Sequence, residues 1–217
     1  VSTNAKNLES ESTNFENVGF VPRSVLRKRE TETKNDALKS VDELYAELVQ
    51  AYNLDLSEVE EKMQGLDKKL KLVQELAKTA KDGALGGKVA YIEKLIEGFK
   101  EWIKMEKIID DCDYPGLELV IDILELKVYA LLAGNTQGQD RAHKIARIEN
   151  LLQDQEEAEE GEEMVPGLQK IYAAQTEKVK DIIKDLRQNK SVEKELSSGT
   201  DAAHDNKKCS EIDWDKI

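Results

Sequence analysis

The segment Asp82-Gly83-Ala84-Leu85-Gly86-Gly87-Lys88-Val89 is the first place where residue types and spacing suggest chemistry. Glycines leading into a lysine can cradle phosphate, because bare backbone amides and an ammonium converge on the anion. The pattern departs from that motif in three ways. Its first glycine interval is one residue short, Val89 stands where a Ser or Thr would hold magnesium, and the segment follows a helical pattern rather than a strand. It therefore reads as a flexible turn between helices. Asp110, Asp111 and Asp113 surround Cys112, and such carboxylates suit calcium, a hard cation that prefers oxygen ligands. The central Gly and terminal Glu of an EF-hand loop are missing. The acidic run from Asp154 to Glu163 would attract a basic partner or a divalent cation, and reads first as solvated surface. A diiron bundle needs Glu-x-x-His on facing helices, and neither His143 nor His204 lies three residues after a Glu. No Ser-His-Asp or Cys-His set can be assembled from spacing. No catalytic, cofactor-binding or metal-ligating residue is assigned, and the chain reads as a non-enzyme.

Three further features bear on partners. Arg23, Arg27, Lys28 and Arg29 form a basic cluster that could meet phosphate, a polyanion or a membrane surface, but Glu30 and Glu32 flank it and a solvated segment is the simpler reading. Asn189-Lys190-Ser191 is a glycosylation sequon, meaningful only in a secreted chain. The two cysteines, Cys112 and Cys209, permit one disulfide, which would tether the C-terminal tail carrying Ile212, Trp214 and Ile217 to the helical body. Closing a loop of about a hundred residues is worth on the order of 4–5 kcal/mol in the chain-entropy view. Two unpaired thiols in a cytosolic protein are the alternative.

The elements that must carry these residues are helical. Val59, Met63, Leu66, Leu70, Val73, Ala77 and Ala80 recur in alternating steps of four and three, which is one stripe of an α-helix. Similar stripes predict helices over 36–52 (Leu38, Val41, Leu44, Tyr45, Leu48, Val49, Tyr52), 57–81, 88–110, 117–133, from about 139 onward (Ile145, Ile148, Leu151, Leu152) and from 168 to about 188. Short helices are expected after Pro22 and over 192–196. Asn35 or Asp36 is expected to cap the first main helix, and Ser57 with Glu60 has capping-box spacing for the second. The stretch 117–133 is apolar around most of its circumference and reads as the central helix. With only 5 % aromatic residues and three prolines, a sheet of many short strands is disfavoured. The expected architecture is all-α, an irregular bundle of about six main helices around helix 117–133, with disordered or loosely docked tails. Residues 1–30 read as a polar tail, 31–196 as the bundle with a subdivision near 112–116, and 197–217 as a tethered tail.

The net charge of −13 repels nucleic acid and anionic lipid. No membrane-spanning segment is expected, since Glu118, Asp122, Glu125 and Lys127 interrupt the most apolar stretch. The chain begins at Val1 rather than Met, which reads as processed or trimmed, and loss of a signal peptide would make it secreted.

Taken as a profile, the Val1-Ser2-Thr3 start, the Asp154–Glu163 run, the pair Cys112 and Cys209 and the helical body resemble the 34-kDa family of mosquito salivary proteins. That resemblance implies a secreted, non-enzymatic protein that binds protein partners at the feeding site, in the host or in the insect's own mouthparts. It assigns no functional residue. Trp102, Tyr114, Tyr172 and Trp214 are candidate interaction anchors, with core packing as the simpler role for each. Two other functions fit the same residues: a carrier of a hydrophobic small molecule between helices, and an intracellular adaptor or coiled-coil protein built on the 59–80 heptads.

Overall fold

The computed structural model describes residues 23–112 and 114–188, with side chains from residue 27 onward. Six α-helices make up the described residues: α1 (Arg23–Ala51), α2 (Leu56–Ala80), α3 (Gly83–Asp111), α4 (Leu117–Leu132), α5 (Gly138–Glu159) and α6 (Pro166–Arg187), with a 3-10 turn at Ala133–Asn135. They form an all-α bundle in which α4 is central and packs against α3, α5 and α6. Helices α1, α2 and α3 stack in sequence beside it. The short connections make consecutive helices antiparallel.

The stripe residues of α2, Val59 to Val73, are buried as the heptad spacing requires. On α3, Val89, Ile92, Leu95, Ile96, Phe99 and Ile103 are buried. Twelve of the sixteen residues of α4 are buried, which is why its sequence shows so little polar face. Each fully buried Leu, Ile or Phe contributes roughly 1.5–3 kcal/mol of transfer free energy, so this aliphatic interior dominates the stability. Ion pairs between helices, such as Lys69–Glu47 at 2.5 Å and Lys100–Asp67 at 2.6 Å, sit on the surface and add less than about 1 kcal/mol each.

Lys127 is the exception within α4. Its side chain is 6 % exposed, and its ammonium donates to the Glu101 carboxylate on α3 and to Gln175 Oε1 on α6 at 2.8 Å. One buried cation thus joins three helices. Burial pulls its pKa below the ordinary lysine value, against the upward pull of Glu101.

Several helix boundaries differ from the sequence reading. A helix does follow Pro22, but it is not short: α1 runs unbroken from Arg23 to Ala51, so residues 23–30 belong to the bundle helix rather than a tail, and Asn35 and Asp36 lie inside a helix instead of capping one. Helix α2 starts at Leu56 after Asp55, and no side chain caps it, so Ser57 and Glu60 do not form a capping box. The glycine segment is not a loop. The chain turns at Lys81, in the left-handed region at φ 51°, and the Asp82 carboxylate accepts from the Leu85 amide at 2.9 Å, starting α3 at Gly83. A strong N-cap outweighs the low helix propensity of Gly83, Gly86 and Gly87.

The α3–α4 corner runs through Tyr114-Pro115-Gly116, where Gly116 has φ 86°. Met164, from the α5–α6 connection, packs against this glycine so closely that a Cβ would collide with it. The Val165 amide donates to the Pro115 carbonyl at 3.3 Å, tying the two corners together.

Candidate binding cleft

Helix α5 is held by few residues. Only Ile148 and Leu152 are buried along it, and they face α4 and α6. Helix α1 packs mainly on α2 and α3. Between α1 and α5 the surface of α4 is left with no helix of its own, and there a cleft of about 820 Å³ opens.

Its geometry follows from three cross-helix contacts. Tyr45 on α1 donates to the Leu132 carbonyl at 2.7 Å, and Tyr52 donates to Glu125 Oε1 at 3.0 Å. Arg147 on α5 lies over the Tyr129 ring, 5.7 Å from its centroid. Tyr45 and Tyr52 are seven residues apart, as are Leu132 and Glu125, so α1 and α4 run antiparallel in constant register. Stepping outward from the Arg147–Tyr129 pair in the same way sets Lys144 level with Leu132, Leu151 with Glu125, and Gln155 near Asp122. All of these except the core behind them line the cleft, together with Val49, Asn53, Leu126, Asn135 and Thr136.

Half of the lining is aromatic or aliphatic and half polar or charged. The Tyr52 ring lies 5.9 Å from both Trp102 and Tyr129. Tyr45 stacks on Tyr91 at 6.3 Å, and the Tyr91 hydroxyl donates to the Leu131 carbonyl. Burial raises the pKa of Tyr45, Tyr52 and Tyr91, so all three stay neutral donors. Val49 and Leu151, which their helical stripes place inward, are instead 39 % and 38 % exposed on opposite walls of this cleft.

The charges are sorted along the cleft. Lys144 and Arg147 sit at the end near the 3-10 turn, and Glu125 and Asp122 sit at the other. Among the described residues, Arg147 makes no ion pair beyond its ring contact, and Asp122 makes none at all. Burial raises the Asp122 pKa, and Glu125, Glu118 and Glu106 raise it further. Gln155 Oε1 is buried and accepts no hydrogen bond among the described residues.

The residues singled out from the sequence lie elsewhere. Trp102 is half-buried between Tyr52 and Phe99, with its indole N–H on Glu106 at 3.1 Å. Tyr114 is half-buried at the α3–α4 corner, and Tyr172 is 1 % exposed inside the core, presenting no surface to a partner. Trp214, His204 and the sequon at Asn189 lie outside the described residues. His143 is exposed on α5. Asp110 and Asp111 are exposed, Asp113 is outside the described residues, and no three His, Cys, Asp or Glu converge as metal ligands among those described. Within the acidic run, Glu156 pairs with Lys180 at 2.9 Å. The expected Cys112–Cys209 disulfide has one half among the described residues: Cys112 is buried at the end of α3 and is not a free thiol, and Cys209 lies outside the described residues. No described helix is long and apolar enough to cross a membrane.

Tyr45, Val49, Tyr52 and Leu151 give no sign of lining a cleft in the sequence because they belong to helical stripes that also look like core. No family profile, characterised protein or solved structure matches this chain.

Proposed function

We propose that this is a non-enzymatic binding protein that docks a helical segment of a protein partner in the cleft between α1 and α5. The observation that carries this reading is the exposure of Val49 and Leu151 across a groove whose floor on α4 sets Leu126, Tyr129 and Leu132 beside Asp122 and Glu125. A groove flanked by two parallel helices is the shape that accepts the apolar face of a third. The salivary resemblance supports an extracellular setting for such a partner. The coiled-coil alternative draws less support, since the α2 heptads are buried within the bundle.

Display of helical peptides against the protein tests the reading. Selected binders should lose their affinity for a Val49→Arg, Leu151→Arg variant whose thermal melt matches wild type. Binders that ignore those substitutions would refute the cleft as the working surface. The small-molecule carrier is the second reading, favoured by the cleft volume of about 820 Å³, which lies within the range of ligand pockets. Native mass spectrometry of the protein from its natural source would reveal a retained ligand.

A further inference from the structure

The charge order of the cleft narrows the chemistry of the occupant, on the reading that a helix docks there. Register along α4 places the cations opposite Leu132 and Tyr129, and the carboxylates at Glu125 and Asp122. The two charge centres are therefore separated by seven residues of helix, or about 10 Å at 1.5 Å per residue. Between them lie Val49, the Tyr52 and Tyr129 rings, Leu126 and Leu151. The carboxylate end carries Asp122, which makes no ion pair among the described residues, and Glu125, whose Oε1 accepts from Tyr52 at 3.0 Å. The opposite end carries the cations Lys144 and Arg147, with Lys144 paired to Asp140 at 3.1 Å.

We propose that the cleft recognises an amphipathic helix carrying a basic residue and an acidic residue two turns apart on one face, with apolar residues at the intervening three- and four-residue positions. The basic side chain meets Asp122 and Glu125. The acidic side chain meets Arg147 and Lys144. The apolar pair covers Leu126 and lies between Val49 and Leu151. A helix whose N-terminus lies at the carboxylate end also aligns its dipole with those charges.

The test uses three designed peptides of about 15 residues, long enough to hold helix in a groove. All share Leu at the central positions. One carries Lys and Glu at the outer positions, one Lys at both, and one Glu at both. Fluorescence anisotropy against the full chain should show the Lys/Glu peptide binding about two- to fivefold more tightly than either like-charged peptide, the size expected of an exposed charge pair. In a Lys144→Glu, Arg147→Glu variant, preference should pass to the Lys/Lys peptide. Equal affinity of the three peptides, with binding still abolished by Val49→Arg, overturns the charge rule and leaves the docking reading intact. Failure of all three to bind overturns both. A retained small molecule or a concentration-dependent dimer, either one lost in the Val49→Arg variant and indifferent to charge reversal, also overturns the proposal and names a different occupant.

Discussion

Removing Glu101 should harm the protein more than removing Lys127, although both belong to one ion pair. Lys127 is 5 % exposed, whereas the Glu101 side chain is 39 % exposed. Glu101→Ala strands an ammonium in the interior with Gln175 as its remaining acceptor. Breaking a buried pair in this way costs about 3–5 kcal/mol when both partners are enclosed. Water reaches the Glu101 side, so the expected loss is about 2–3 kcal/mol. Lys127→Met removes the buried charge, and Glu101 turns to solvent. Gln175 Oε1 loses its donor, at about 1–2 kcal/mol, and the relieved desolvation with the added apolar burial offsets most of that. The net change is expected within about 1 kcal/mol. Urea unfolding followed by far-UV circular dichroism measures both.

The pH dependence separates the variants further. Burial depresses the Lys127 pKa, and the Glu101 carboxylate opposes that depression. Without Glu101 the folded-state pKa falls further below that of the unfolded chain. The folded state then binds its proton less tightly, so stability rises with pH from the folded pKa up to about 10, the ordinary lysine value. Glu101→Ala should regain stability over that interval, and Lys127→Met should not. A Lys127→Met variant as damaged as Glu101→Ala, or a Glu101→Ala deficit flat with pH, would refute the reasoning.

Gly116→Ala should cost more than about 2 kcal/mol, since it combines the left-handed penalty of about 1–2 kcal/mol with a collision on Met164. Met164→Ala in the same chain should restore the part due to the collision, read as a partial recovery of the melting temperature. Asp122→Asn should stabilise the protein by about 0.5 kcal/mol at neutral pH, a figure discounted for solvent screening. Its carboxyl pKa is raised in the fold, so wild-type stability falls as pH rises from the unfolded value of about 3.9 through the folded value. The advantage of the Asn variant should therefore vanish below about pH 4, measured by denaturant titration across pH.

The bundle was legible because burial in helices leaves a periodic trace. The α2 stripe from Val59 to Val73 and the apolar run of α4 were readable without coordinates. Helix ends were less legible, because capping competes with propensity: Asp82 starts α3 through three glycines that look like a loop. The cleft left a fainter trace. Glu118, Asp122 and Glu125 fall in steps of four and three and mark the one polar stripe of α4, whereas Lys127 lies off that stripe and so had to be buried. That arithmetic was available in the sequence. The exposure of Val49 and Leu151 was not, because a stripe records which residues avoid water and says nothing of whether a neighbour arrives to cover them. Tyr45, Tyr52 and Arg147 gained their roles only through the register between helices distant in the chain.

The slender attachment of α5 makes it the helix whose amides should exchange with deuterium ahead of those in α3 and α4. A segment whose fully buried anchors are Ile148 and Leu152, with Ile145 partly buried beside them, should open before the more deeply buried helices, at a lower free energy than global unfolding. One wall of the cleft is then the part expected to yield first. Slowed exchange along α5 on adding a peptide would report occupancy directly, even where affinity is too weak to isolate a complex.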